Sequence, residues 1–126
     1  MREYTILKKG TSTGDNNRFT RRWQEVNFKK IFFDAHSPED AKKSGKKWFP
    51  FNGGGERRKW YGNRIDIVNW ESDGAEMKRE ATRLINGGHW SRYIINTDRF
   101  FLESIGWSAI SSSQISVRYI GYGFAF

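Results

Sequence analysis

Residues 46–63 put five aromatic and five cationic side chains into eighteen positions. Lys46, Lys47, Trp48, Phe49 and Phe51 rise to Asn52 and three glycines. Arg57, Arg58, Lys59, Trp60 and Tyr61 follow, with Asn63 just beyond. Aromatic rings stack on nucleobases while interleaved cations neutralise phosphates, so the spacing is that of a nucleic-acid-binding segment. The rings also have a plainer use: a small domain needs large side chains inside, and most of these five are expected in the core. The cations resist unpaired burial, which leaves a solvated face or a phosphate grip. Asn52 and its glycines read first as a hairpin turn, and second as backbone able to approach a phosphate closely.

A second basic segment surrounds Asp15. A helix capped by Asp15 or Asn16 and running to about Val26 would stack Phe19, Trp23 and Val26 into an apolar stripe. Arg18, Arg21 and Arg22 would then form a neighbouring basic stripe. A helix start with free N–H groups favours phosphate, while Asn16 and Arg18 have the donor and acceptor patterns that read adenine and guanine edges. The plainer alternative is a capped helix carrying solvated arginines.

Other chemistries fit less well. Glu76 and Lys78 with Asp66 imitate a nuclease triad, but that pattern needs Glu-x-Lys on a strand and this one falls on an expected helix. Asp40 with Lys42 fails for the same reason. His36 and His89 lack partners at ligand spacing. Ser111–Ser113 has no supporting His and Asp and reads as a turn.

The elements that must position these residues follow from pattern. A strand is expected at Tyr4–Leu7, a strand or buried loop at Phe28–Phe33, and a helix opened by Ser37 and Pro38 and closed by Gly45. A hairpin is expected from Lys47–Phe51 and Arg57–Tyr61, with Pro50 marking an edge strand. A strand at Ile65–Trp70 and a helix over 73–85 come next, then strands at Arg92–Ile95, Phe100–Trp107 and Ile115–Tyr119. The expected fold class is therefore α+β, a mostly antiparallel sheet with two or three short helices, over residues 1–126 as a single domain.

The chain has 126 residues, a formal net charge of +8 and no cysteine. Disulfides and thiolate metal sites are excluded. The charge is lopsided: residues 1–64 carry 16 Lys/Arg against 7 Asp/Glu, and residues 65–126 carry 6 against 7. No apolar run has the length of a membrane helix and the start lacks a signal-peptide pattern, so a cytoplasmic location with no membrane partner is expected.

Four ordered blocks resemble PglX-type adenine-specific DNA methyltransferases, the methylases of BREX phage-defence systems, which are related to type IIG restriction–modification enzymes. Lys47–Asn52, Gly54-Gly55 and Arg58–Asn63 resemble the family's KW(Y/F)P(Y/F)N…GG…RKWYGN segment. Thr13–Asn16 with Arg18, Phe19 and Trp23 resembles TGDN-x-RF…W. Val68–Glu71 with Asp73 and Gly74 resembles VNWE-x-DG. Gly106–Ser111, Arg118-Tyr119 and Gly123-Phe124 resemble TWS-x-IS…RY…KGF-x-F. In that family this region follows the catalytic domain and is associated with choosing the DNA target.

The departures define what the resemblance implies. The family's Asn-Pro-Pro-Tyr motif is absent, since the only prolines are Pro38 and Pro50. No glycine loop suits S-adenosylmethionine, the cofactor of the full-length family. The family pattern has a basic residue near Tyr122 and continues past Phe126. The expectation is thus an incomplete domain, a target-recognition fragment that binds no cofactor, catalyses nothing alone and grips double-stranded DNA. The expected contact residues are Asn16, Arg18, Arg21, Arg22, Asn52, Arg57, Arg58, Lys59, Trp60 and Asn63. The catalytic part of a methyltransferase is a second expected partner. The alternatives are a stand-alone interaction protein docking on a methylase, and an RNA-binding module.

Overall fold

A computed structural model describes residues 10–52, 66–107 and 117–126, the side chains of Trp107 and Arg118 excepted. Its elements are α1 (Asn16–Phe19), β1 (Thr20–Arg22), α2 (Pro38–Ser44), β2 (Trp48–Pro50), β3 (Asp66–Asn69), α3 (Glu71–Leu84), β4 (Ser104–Trp107) and β5 (Val117–Ile120). Short 3-10 turns lie at Trp23–Glu25, Phe28–Lys30, Trp90–Arg92 and Thr97–Arg99. The strands form antiparallel sheets of three (β1-β3-β2) and two (β4-β5). The expected α+β class, with three helices among the described residues, is what the chain adopts.

The central sheet has two different faces. Register aligns Thr20, Val68 and Phe49 on one, and Arg21, Ile67 and Pro50 on the other. Val68 and Phe49 enter the main core with Phe19, Trp70, Met77, Ala81, Phe100 and Phe101. Ile67 packs with Trp48 and Ile31 in a smaller cluster covered by Val26. Burying one such side chain contributes about 1.5–3 kcal/mol, so the main cluster dominates the fold. Pro50 does sit on an edge strand. That edge is partly covered, because Ile31 and Ala125 form isolated parallel bridges to Trp48 and Phe51.

Local chemistry explains the helices. Ser37 accepts from the Asp40 N–H, Pro38 occupies the first turn, and Gly45 closes α2 with φ 64°. α3 begins with Ser72, Asp73 and Gly74 all left-handed (φ 53°, 60° and 72°) before turning regular. Glycine is required at 74 because a Cβ there would strike the Trp70 ring. Met77 and Ala81, one turn apart, are both buried, whereas Leu84 is 40% exposed.

Several expectations are corrected. The long helix to Val26 does not form: α1 ends at Phe19, and Thr20–Arg22 pair with β3 instead. Thr20 helps to end it, its hydroxyl donating to the Asn16 carbonyl at 2.6 Å. Trp23 is consequently 41% exposed rather than part of a buried stripe. Phe28–Lys30 is a 3-10 turn, with only Ile31 joining a bridge. The strand expected at Arg92–Ile95 is replaced by the Trp90–Arg92 turn, and the strand expected from Phe100 starts at Ser104. Phe101 has φ 70°, incompatible with a continuous strand. The described partner of β2 is β3. Tyr4–Leu7, the expected return strand Arg57–Tyr61 and the Ser111–Ser113 turn lie outside the described residues.

Candidate nucleic-acid interface

The switch from helix to strand at Thr20 separates arginines that the sequence places together. Arg18 remains on α1 and reaches α3. Its Nη2 lies 3.0 Å from Glu76 Oε1 and its Nη1 lies 3.1 Å from Glu80 Oε2. Arg83 also pairs with Glu80, whose side chain is only 11% exposed. Lys78 pairs with Asp73 at 3.1 Å and lies over the rings of Trp70 and Trp90. A cavity of about 310 Å³ lined by Arg18, Glu76, Arg79, Glu80 and Arg83 marks this flank.

The surroundings of both carboxylates favour the anionic form. The hydrogen bond from Arg18 holds Glu76 below the ordinary glutamate range, against the opposing effect of burial. A hydrogen bond from Asn69 and the charges of Arg18 and Lys47 act in the same direction as Arg18's bond. Arg83 is the main cause of the lowered Glu80 value, and Glu80 in turn raises Arg83.

Arg21 has the opposite surroundings. It lies on the smaller-cluster face, donating to the carbonyls of Asn17 and Thr20, with its guanidinium 6.0 Å from the Trp48 ring centre. Lys47 approaches the same ring at 5.9 Å. Exposed Lys29 and Lys30 adjoin this face, where Lys46 Nζ donates to the Lys29 carbonyl at 2.6 Å. Among the described residues, neither Arg21 nor Lys47 forms an ion pair. Arg22 is exposed at the end of β1, opposite Asp66 in register, and its N–H donates to Glu25.

The basic stripe of Arg18, Arg21 and Arg22 is therefore corrected: β1 sends Arg21 and Arg22 to opposite faces, and Arg18 is neutralised on the far flank. Asn16 is exposed, its Oδ1 accepting from Thr13 at 2.5 Å. Asn52 is half-buried near Gly106, with its N–H bonded to the Ala125 carbonyl. Arg57, Arg58, Lys59, Trp60 and Asn63 lie outside the described residues. Trp48, Phe49 and Phe51 are buried, as the core reading of the aromatics expects. Glu76 and Glu80 were not foreseen as partners of Arg18, although their four-residue spacing puts both on one helix face. Among the described residues no cluster of His, Asp and Glu could hold a metal ion. No described helix is long and apolar enough to cross a membrane.

No protein-family profile matches the chain. It is 40% identical over 121 residues to the adenine-specific methyltransferase PglX of Lacticaseibacillus casei (strain Zhang), covering 94% of this chain. It is 38% identical over 123 residues to the adenine-specific methyltransferase BrxX of Escherichia coli O9:H4 (strain HS), covering 97% of this chain. The chain spans 10% and 9% of the length of these two relatives. The similarity is thus to one segment of a much larger methyltransferase.

Proposed function

We propose that this chain is a DNA-binding, target-recognition segment of an adenine-specific methyltransferase system of the phage-defence kind. The observation that carries the reading is the alignment of nearly the whole chain with two adenine-specific methyltransferases at 38–40% identity. The structure supplies a physical basis. Its net charge is +8, and Arg21, whose guanidinium lies 6.0 Å from the Trp48 ring centre, forms no ion pair among the described residues. Lys47 lies 5.9 Å from the same ring, and its charge also acts on Glu76.

In this reading Arg21, Arg22 and Lys47, with Arg57, Arg58 and Lys59 of the neighbouring segment, contact phosphates and fix register. Asn16, Asn52, Asn63 and Trp60 supply polar and aromatic contacts to bases. Arg18 fastens α1 to α3 and does not grip DNA. The extruded adenine, its methyl donor S-adenosylmethionine and the transfer step belong to a catalytic part, which is the second partner.

Titrating fluorescent duplex DNA with the purified chain at several salt concentrations tests the reading. Six phosphate contacts give a log–log slope of about −5. A salt-independent interaction, or none, overturns it. A stable complex with a methylase but no affinity for DNA would assign the chain to protein docking.

A further inference from the structure

Four exposed rings form two pairs outside the core clusters. Phe28 is 64%, Tyr122 46% and Phe33 40% exposed, and His36 is also open to solvent. Phe28 and Phe33 meet with ring centres 5.3 Å apart. Tyr122 and His36 are 4.5 Å apart and nearly parallel, at 16°. The backbones that carry the two pairs meet at one point. Gly123, next to Tyr122, runs so close to the Phe33 carbonyl that a Cβ would collide with it. The platform is therefore assembled from residues 28–36 and the segment at 121–123.

An exposed aromatic cluster loses the burial that makes such side chains valuable. Its rim is cationic: Lys29 and Lys30 are exposed, and Lys46 is anchored to the Lys29 carbonyl. Asp34, Glu39 and Asp40 are exposed carboxylates close to His36 in sequence, Asp40 accepting from the His36 N–H, so the cationic border lies at the Phe28 end. Flat rings bordered by ammonium groups suit a ligand with planar faces and a negative backbone. A second copy of the chain would bring the same positive rim and be repelled. Duplex DNA hides its base faces within the stack, so the fitting occupant has unpaired bases.

We propose that Phe28, Phe33, His36 and Tyr122 form a stacking platform for unpaired nucleobases, with Lys29 and Lys30 holding the adjoining phosphates. The proposal takes its ligand class from the nucleic-acid reading above and adds a second, separable surface. Ile31 bridges to Trp48, so the segment carrying Phe28 and Phe33 runs beside the strand whose Trp48 ring Arg21 overlies.

The test uses the full chain with a short single-stranded DNA carrying the fluorescent base 2-aminopurine, its RNA counterpart, and a duplex of the same sequence. Binding should quench 2-aminopurine, because stacking on a ring does so. Phe28→Ala and Tyr122→Ala should each weaken single-strand binding about fivefold or more, with Tyr122→Phe retaining it and duplex affinity unchanged. Arg21→Ala should do the reverse, weakening duplex binding most. Tighter RNA binding that is still lost in the alanine variants would support the platform and name its ligand as RNA. The platform is overturned if the alanine variants bind the single strand like the parent, if quenching is absent, or if they abolish only self-association or methylase docking. In each of those cases an intact duplex affinity would leave the reading under "Proposed function" standing.

Discussion

Two arginines three residues apart, Arg18 and Arg21, have opposite fates. Arg18 lies between two glutamates of α3, on a flank that also contains the Arg83–Glu80 and Lys78–Asp73 pairs. Arg21 lies over Trp48 on the other side of the sheet, with no carboxylate among the described residues forming an ion pair with it. The same residue type is structural cement on one side and available charge on the other. The lesson is that net charge counts cations, but only the strand and helix geometry decides which of them a polyanion can use.

The severest way to break the contrast is to remove the scaffold of the paired flank. Trp70 is 2% exposed and is wrapped by the left-handed start of α3. Trp70→Ala should cost about 3–5 kcal/mol in urea unfolding, and a loss under about 1 kcal/mol would mean that the flank is held otherwise. Next in size is the effect on DNA. Replacing Arg21 and Lys47 together by Ala should flatten the log–log salt slope by about 2, whereas Arg18→Ala should leave it unchanged. A slope that changes in the Arg18 variant instead would reverse the assignment of the two sides.

A smaller effect is expected on stability. Arg18 and Glu76 are 45% and 37% exposed and only Glu80, at 11%, is sheltered, so Arg18→Ala should cost no more than about 1 kcal/mol by thermal or denaturant unfolding. The smallest effect concerns pH. Glu76 and Glu80 titrate lower in the folded chain than the ordinary value of about 4.3. The unfolded chain therefore binds more protons in that window. Their contribution is present above about pH 4.3 and is lost as pH falls through the lower folded values. Glu76→Gln with Glu80→Gln should flatten the stability profile below about pH 4.3, and an unaltered profile would show that the pairs contribute nothing there.

Local signals read well wherever the chain carried its own punctuation. Ser37, Pro38, Glu39 and Asp40 specify the start of α2 and Gly45 its end, and all act as their chemistry requires. Pro50 marked an edge strand, and the apolar stripe of Met77, Ala81, Leu84 and Ile85 marked the inner face of α3 only in its first half, since Leu84 is 40% exposed. The failures come from tertiary pairing. The local brake on the helix at Phe19 is the Thr20 hydroxyl on the Asn16 carbonyl, and it does not suffice alone. The helix stops because Thr20–Arg22 gain three register partners on β3, far away in sequence. That one misreading created the arginine stripe. The pairing of Arg18 with Glu76 spans 58 residues, and the aromatic platform joins residues 28–36 to 122. Such encounters have no periodicity to betray them. The core role of Trp48 was legible from its size and setting, but the two cations flanking its ring were not.

The left-handed turn of Ser72, Asp73 and Gly74 fixes the rotational phase of α3. Each residue added ahead of Ala75 would rotate the helix by about 100°. A single insertion there would present Ala75 and Arg79 where Glu76 and Glu80 now meet Arg18, turning attraction into repulsion without altering any existing side chain. A single deletion would expel Met77 and Ala81 from the interior towards that same spot. At this turn the chain is constrained in length as tightly as in residue identity, so insertions and deletions should be tolerated less than substitutions of the exposed Ser72.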